Sequence, residues 1–339
     1  MTARRLLVIG LLLAIAALAL VAVAPADALR AWLAAAFLWS GVPIGSLGLL
    51  MIIRLVGGRW GHAIQPWLEA GALTLPIAAL AIVPVLAGMA LLYPWFGRRA
   101  DGFKGAWLAP LPFVLRTVLL FAGLGLALWA LTTRRGSAVA VSSAGLLFLA
   151  PMLSLVLVDW IVSLDPEFHS SGFGLYGMAI QFTVAWMVAM SGLLRRQPEQ
   201  TGALAALVIT FALLWMYLAF TSYFIVWSGD LASVVGWYKA RGTGGWGIVY
   251  LLCSLVELAT FLVLLAPQAR GSAFVLRAIA AAMVVGKALE AAWLVLPQAG
   301  PVRLGPVLLY ALAGCALGLI VLASQALLLE WRVARRAPR

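Results

Sequence analysis

The chain has 339 residues, of which 65% are hydrophobic and only 10% are charged. Soluble domains carry about a quarter charged residues, so this composition excludes an ordinary soluble core and predicts an integral membrane protein. The net charge of +12 does not indicate a nucleic-acid partner, because the basic residues of membrane proteins collect in cytoplasmic loops. We therefore expect the lipid bilayer to surround most of the chain, and no nucleic acid to bind it.

Ten apolar runs are long enough to cross a bilayer, which takes about 20 helical residues. They predict an all-α fold and one polytopic membrane domain over residues 1–339, with spans near 6–23, 32–56, 73–93, 111–131, 141–163, 174–194, 204–227, 245–266, 274–296 and 304–331. The second span contains Gly41 and Gly45, and the last contains Gly314 and Gly318. This spacing of small residues favours close helix packing.

The first run also resembles a signal peptide, because Arg4 and Arg5 precede it and small residues follow it at 24–28. We interpret it as an uncleaved helix, since the run is long and the topology is consistent with ten spans.

Basic residues are divided unequally between the two sets of loops that alternate along the chain. With the N-terminus in the cytoplasm, the inner segments carry fourteen and the outer segments carry seven. Cytoplasmic loops are rich in Lys and Arg, so ten spans place both termini in the cytoplasm and the loop after the fifth span outside. The inner set is Arg4, Arg5, Arg54, Arg59, Arg134, Arg135, Arg195, Arg196, Arg270, Arg277, Arg332, Arg335, Arg336 and Arg339; the outer set is Arg30, Arg98, Arg99, Lys104, Lys239, Arg241 and Arg303.

Two ionisable residues of opposite sign lie at similar depth on neighbouring spans. Arg116 and Asp159 are each about one to one and a half helical turns from the predicted outer surface. Charge within a bilayer is costly, so both are candidates for function. A structural ion pair is one interpretation, and an outward-facing polar pocket in which the carboxylate takes up a proton is the other.

Three further ionisable residues, Glu257, Lys287 and Glu290, are predicted deeper, nearer the middle of the membrane. Lys287 and Glu290 are three residues apart on one helix, so they can pair with each other. Glu257 has no such partner in its own span. A series of carboxylates serves proton transfer across a membrane or a tightly packed polar interface, and the sequence leaves both open.

The loop after the fifth span holds Asp165, Glu167 and His169. His169 and His62 are the only histidines, and neither lies within a predicted span, whereas a membrane haem needs axial ligands there. The sequence has no cysteine cluster and no phosphate-binding glycine loop. We therefore expect this chain to bind no redox cofactor of its own. Aromatic residues near Asp159 and His169 suit the walls of a quinone pocket.

Three segments in a fixed order carry a family resemblance. They are V-G-G-R-W-G-H-A-I-Q-P-W at 56–67 with L-Y-P-W at 92–95, D-W-I-V-S-L-D-P-E-F-H-S-S-G-F-G-L-Y at 159–176, and Y-F-I-V-W-S-G-D-L at 223–231 with W-Y-K-A-R at 237–241. They resemble a membrane subunit of bacterial alternative complex III, the polysulfide-reductase-like (NrfD-type) quinone-binding subunit 2 of that quinol:cytochrome c oxidoreductase.

The resemblance implies two four-helix bundles, formed by spans two to five and six to nine, with peripheral first and last spans. It implies a place in the bacterial inner (cytoplasmic) membrane, within a complex that oxidises quinol and passes the electrons to a cytochrome or an oxidase. The implied partners are a paired NrfD-like quinol-site subunit, cytochrome c and iron–sulfur subunits that hold the haem and iron–sulfur cofactors, and a terminal oxidase as a further candidate. The second subunit is implied to serve scaffolding and proton movement more than quinol oxidation.

The sequence departs from the family at polar positions. The family loop S-L-E-P-H-W-F-S reads S-L-D-P-E-F-H-S at 163–170, so Glu167 takes the position of the histidine. An acidic Pro-Glu-Glu is replaced at 232–234, and a His-Pro pair is absent from 256–261. These departures favour a diverged or accessory member.

The leading hypothesis is a membrane subunit of a quinol-oxidising respiratory complex, acting as scaffold with a proton path or a quinone-facing surface. Its candidate residues are two outward proton acceptors, a charge partner for the first of them, and an inner relay: Asp159 and His169; Arg116; and Glu257, Lys287 and Glu290. Asp165 of the outer loop is a further candidate for the quinone surface or the proton path. The alternatives are a proton-coupled secondary transporter, for which inverted repeats are typical, and a non-catalytic assembly or anchor subunit whose polar residues only pack.

Overall fold

A computed structural model describes residues 2–97, 102–133, 135–199, 201–229 and 232–336. Within these ranges the chain forms fifteen α-helices and no strand, which confirms the all-α prediction. The helices are α1 Ala3–Ala19, α2 Pro25–Val56, α3 Arg59–Ala72, α4 Leu75–Ala87, α5 Met89–Leu92, α6 Gly102–Trp107, α7 Pro110–Thr132, α8 Ala138–Trp160, α9 Phe173–Arg196, α10 Gly202–Ser228, α11 Ala232–Gly242, α12 Trp246–Val263, α13 Pro267–Arg270, α14 Ala273–Val295 and α15 Leu304–Arg336.

Ten helical segments of the described chain are long and apolar enough to cross a membrane. They follow the predicted order and identify a multi-pass membrane protein. The segments are Ala3–Ala22, Pro25–Val56, Gly61–Ala87, Pro110–Thr132, Ala138–Leu164, Phe173–Arg196, Gly202–Ser228, Trp246–Val263, Ala273–Ala299 and Leu304–Arg332.

The third span differs most from its expected boundaries. A loop was expected before residue 73, but helix α3 begins at Arg59, and His62 lies on it. Polar residues interrupt the apolar run there, so hydropathy alone did not extend the helix. The helix ends at Ala72, where the Thr74 hydroxyl donates to the Gly71 carbonyl over 2.7 Å, and α4 then continues the span.

The spans pack as two groups of four around a shared interface. Helices α2, α3 and α4, α7 and α8 contact one another, as do α9, α10, α12 and α14. Helix α2 packs on α9, and a Cβ at Gly45 would lie only 2.6 Å from the Gln181 carbonyl oxygen. The small residues predicted to pack therefore lie where two helix backbones approach.

The first and last spans pair with each other on the outside of α2. Helix α15 contacts both α1 and α2. A Cβ at Gly318 would lie 2.5 Å from the Trp39 ring, and the Trp39 indole donates to the Gly314 carbonyl over 2.8 Å. Gly318 therefore makes room for the Trp39 ring, and Gly314, where a Cβ would meet no atom within 4 Å, contributes only its carbonyl oxygen as an acceptor.

The loop segments predicted to share a side of the membrane meet at the same end of the molecule. At one end, called here the basic end, Arg54 and Arg332 contact Glu69. At the other, Asp27 pairs with Arg303 over 3.6 Å. Which end faces the cytoplasm stays a prediction; of the residues counted for it, Arg98, Arg99, Arg134 and Arg339 lie outside the described residues.

Candidate functional site

Arg116 and Asp159 form a buried, bidentate ion pair. Arg116 Nε lies 2.5 Å from one carboxylate oxygen of Asp159, and Nη2 lies 3.0 Å from the other. The Trp107 indole donates to Asp159 over 3.1 Å, and the guanidinium stacks on the Trp107 ring at 4.0 Å. Asp159 has no exposed surface. Both oxygens are engaged, which favours the structural interpretation of this pair over a proton-accepting pocket.

Trp107 comes from α6, which lies within a segment expected to be a loop. Sequence reasoning missed it, because a single aromatic residue in an outer loop is typical of the membrane interface. Nearby, the Tyr93 hydroxyl donates to the Trp160 carbonyl over 3.1 Å. Burial, assisted by the charge of Asp159, raises the pKa of Tyr93, so the phenol keeps the proton that it donates. The first two segments of the family resemblance thus meet beside the ion pair.

A cavity of about 450 Å³ lies beside the loop after the fifth span. Asp165, His169 and Trp107 are among its lining residues, but Asp159 is not. Asp165 accepts a hydrogen bond from the Glu167 backbone N–H over 3.2 Å, which holds the turn. The structure therefore brings His169 and Asp165 to one cavity. Asp159 does not line it, but Trp107, which donates to Asp159, does.

The three deep charges come together in one buried cluster, called here the charge cluster: Glu257, Lys287 and Glu290. Lys287 Nζ lies 2.6 Å from Glu257 and 2.9 Å from Glu290. All three side chains are nearly fully buried. Glu257 has no basic partner in its own span, and it pairs instead with Lys287 of the next span. Two carboxylates share one ammonium group, so the cluster has one net negative charge when all three groups are ionised.

Two aromatic residues complete the charge cluster. The Trp215 indole donates to Glu290 over 2.6 Å, and Lys287 lies over the Trp215 ring at 4.4 Å. The Tyr176 hydroxyl donates to the same Glu290 oxygen. No local signal in the sequence marks either residue as a carboxylate partner.

The charge cluster extends from near one membrane surface toward the middle of the span. Glu290 is five residues from the end of α14 at Val295, about 7 Å along the helix axis. Glu257 is eleven residues from the start of α12 at Trp246, about 16 Å along the axis. Glu257 is six residues from the other end of α12 at Val263, so it lies near the middle of its helix, whereas Glu290 lies toward the end opposite the basic end.

Beside the charge cluster lies a groove of about 540 Å³ with mainly aromatic walls, called here the aromatic groove. Its residues come from α10, α11, α12 and α14, and include Trp215, Tyr238, Arg241, Tyr250 and Trp293. Trp215 lines the groove and donates a hydrogen bond to Glu290, so this side chain contacts both the groove and the charge cluster.

Arg241 is the most unusual residue of the aromatic groove. It was counted as an outer loop charge, but only 1% of it is exposed. Its guanidinium donates to the Leu294 carbonyl over 2.7 Å and stacks on Trp237 at 3.8 Å. Among the described residues, its Nε has no hydrogen-bond partner. Burial lowers the pKa of Arg241, while Asp165 and Tyr238 act in the opposite direction.

An aromatic stack connects the outer loop to the aromatic groove. Phe168 lies parallel to Trp237 with ring centroids 4.2 Å apart, and Trp237 meets Trp293 edge-on at 5.4 Å. The loop segment at 159–176 therefore packs against W-Y-K-A-R at 237–241. The second and third segments of the family resemblance are neighbours in space, although Asp230 and Leu231 of the third lie outside the described residues.

Among the described residues, no group of three or more His, Cys, Asp and Glu side chains is arranged to hold a metal ion. No protein-family model matches this chain, and no curated protein matches it. The similarity of its three segments to the alternative complex III subunit therefore stays a prediction. The structure itself shows an all-α, multi-pass membrane protein with ten candidate spans in its described part.

Proposed function

We propose that this chain is a membrane subunit of a quinol-oxidising electron-transfer complex, and that the aromatic groove is its quinone-facing surface. The carrying observation is the buried Arg241, which lines this groove among aromatic residues and whose Nε has no hydrogen-bond partner in the described part of the chain. In this proposal the complex resides in a bacterial inner membrane, with both termini in the cytoplasm.

The aromatic groove fits a quinone headgroup in size and chemistry. Its volume of about 540 Å³ is within the usual range of small-molecule sites, which combine apolar walls with a few polar groups. Tyr250 and Trp293 stack with centroids 4.4 Å apart and offer flat faces to a ring. Arg241 offers a charged donor to a carbonyl or phenolic oxygen.

The charge cluster gives the aromatic groove a neighbouring place for protons. A bound quinol supplies two electrons and two protons. Glu257 and Glu290 share the single charge of Lys287, so a proton held by either carboxylate makes the cluster neutral. Trp215 keeps Glu290 oriented and also lines the groove. The electrons need an acceptor, which haem and iron–sulfur partner subunits would provide.

The proposed site differs from the one expected around Asp159 and His169. Asp159 is bound to Arg116 and Trp107 in a closed arrangement, and we assign this pair to the stability of the first bundle. His169 and Asp165 belong to the loop that packs on the aromatic groove through Phe168. We assign this loop to the partner-facing side of the site.

Arg241→Gln tests the aromatic groove in the purified chain. A hydrogen bond to a charged group contributes about 1.5–3 kcal/mol, so affinity for a short-chain quinone should fall tenfold or more. Lys239→Gln is the matched control, because Lys239 is exposed on the same helix. Binding is measured by quenching of tryptophan fluorescence. Equal affinity in the Arg241 variant and the control would remove the aromatic groove from the proposal.

Membership of a redox complex is tested separately by a mild-detergent pull-down from the native membrane, with an absorption spectrum of the eluate. Haem absorption that co-elutes with the chain supports the complex. A colourless, homogeneous eluate contradicts it and favours a free-standing protein.

A second candidate function, proton-coupled transport, is favoured by the charge cluster and by the break in the third span at Leu73 and Thr74. Transporters of this kind carry discontinuous helices at the substrate site. Here the break lies in the first bundle, whereas Glu257 and Glu290 lie within continuous helices of the second. Proton uptake by liposomes that contain only this chain would distinguish transport from the proposed function.

A further inference from the structure

A second cavity, of about 410 Å³, opens at the basic end of the molecule, far along the helices from the aromatic groove. It lies among the ends of α2, α7, α8 and α15 and the side of α3. Its polar lining includes Arg54, Arg135, Arg332, Gln65 and Glu69. None of these residues belongs to the proposed quinone site or to the charge cluster.

The cavity carries an excess of positive charge. Glu69 contacts Arg332 at 2.5 Å and Arg54 at 3.7 Å, and it accepts a hydrogen bond from Gln65 over 2.7 Å. Both arginine side chains are only 21% exposed, and Glu69 is 8% exposed. Arg135 adds a third cation. Three arginines face one carboxylate, which leaves two positive charges in a partly enclosed space.

A helix terminus adds to the positive potential of the same cavity. Helix α8 begins at Ala138, which lines the cavity together with Gly136. The N-terminus of a 23-residue helix presents backbone N–H groups and the positive end of the helix dipole, which favour an anion. This contribution is additional to the arginines and has a separate structural origin.

The deeper wall of the cavity is apolar. Leu47 and Leu50 of α2, Leu128 and Leu131 of α7, and Val141 of α8 line it. A cavity with cations at its mouth and leucines below matches a molecule that has an anionic head and hydrocarbon chains. Basic pockets between spans at the cytoplasmic side of a membrane are typical of such lipid sites.

We propose that this cavity binds the phosphate headgroup of an anionic phospholipid from the leaflet at the basic end. Arg54, Arg135 and Arg332 contact the phosphate, and the acyl chains lie along the leucines. Because Arg332 belongs to the last span and Arg135 follows the fourth, the lipid joins α15 to the first bundle. The proposal is independent of quinone chemistry.

The test is native mass spectrometry of the delipidated full chain, titrated with phosphatidylglycerol, phosphatidylcholine or inorganic phosphate. We expect phosphatidylglycerol to bind at least tenfold more tightly than phosphatidylcholine. Each arginine near a membrane surface contributes a factor of about five to the affinity for anionic lipid. Arg135→Gln should therefore weaken phosphatidylglycerol binding about fivefold, and Arg54→Gln with Arg135→Gln about 25-fold.

Arg270→Gln is the matched control, because Arg270 is an exposed arginine outside the cavity on the predicted inner side. It should leave the affinity unchanged. Arg135 is not among the contacts of Glu69, so its single variant keeps that ion pair and remains informative if the double variant fails to fold. Equal binding of the two lipids, an effect of Arg135→Gln no larger than that of Arg270→Gln, or displacement of the lipid by millimolar inorganic phosphate would each overturn the proposal.

Discussion

The ion pair of Arg116 and Asp159 gives a prediction that separates stability from proton transfer. Asp159→Asn removes the charge that faces the guanidinium but keeps an oxygen that can accept from Trp107. Arg116 is 14% exposed, so its charge would stay largely buried without a counter-ion. Removal of one partner of a buried pair costs about 3–5 kcal/mol. We expect a loss near the lower limit, about 3 kcal/mol, since water has some access to Arg116.

The double variant, Asp159→Asn with Arg116→Met, should recover most of the stability that Asp159→Asn alone loses. Arg116→Met alone leaves Asp159 buried without its cation, and should cost a similar amount. With both changes no unpaired charge remains, and removal of both charges of a buried ion pair costs much less than removal of one. The double-mutant cycle is thus expected to show a coupling of about 5–6 kcal/mol, which is the sum of the two single losses less the small loss in the double variant.

The free energy of unfolding of all four proteins in this cycle is measured in mixed micelles, where titration with SDS unfolds the protein. Lys104 and Glu167 form the control pair, because they lie 3.6 Å apart and are 44% and 80% exposed; exposed pairs of this kind show little coupling. If the losses in free energy of unfolding of the two single variants simply add in the double variant, the two side chains do not stabilise each other and the structural interpretation is refuted. Quinol-dependent turnover that is retained by the double variant would exclude Asp159 as a required proton acceptor.

Two further predictions use the same SDS titration. Lys287→Met leaves both carboxylates of the charge cluster without a cation, so it should destabilise the protein by about 3–5 kcal/mol; a loss below the measurement error would show that neither carboxylate depends on the charge of Lys287. Gly45→Ala places a methyl group 2.6 Å from the Gln181 carbonyl oxygen, and overpacking of this kind costs about 1–3 kcal/mol. Gly125→Ala is the control, since its methyl group would meet no atom within 4 Å, and equal effects of the two changes would contradict the close approach of α2 and α9.

The sequence predicts features that depend on local hydropathy and on the sign of a charge. The ten spans follow from apolar runs, and the pairing of Arg116 with Asp159 follows from opposite charges at equal depth. Gly318 of the last span is confirmed as a packing position by its contact with Trp39, whereas a Cβ at Gly314 would meet no atom within 4 Å. Each of these inferences needs only one helix or two helices adjacent in the chain.

The remaining features depend on contacts between distant parts of the chain. Glu290 meets Trp215 and Tyr176, which are 75 and 114 residues away, and no periodicity within one helix indicates such partners. Arg241 lies in a short helix between two spans, so its charge suggested a solvated loop. Its burial follows from the packing of α11 on Leu294 and Trp293, which only the tertiary structure provides.

The position of α2 also constrains how the chain can assemble. This helix, Pro25–Val56, is buried over most of its length, yet many of its neighbours are α9, α14 and α15, which are synthesised much later. Its glycine-lined surfaces must therefore face lipid or other proteins until the second half of the chain has entered the membrane. The two bundles are consequently not independent folding units, since the central helix of the first is packed only when α9 and α14 of the second, and then α15, are in place.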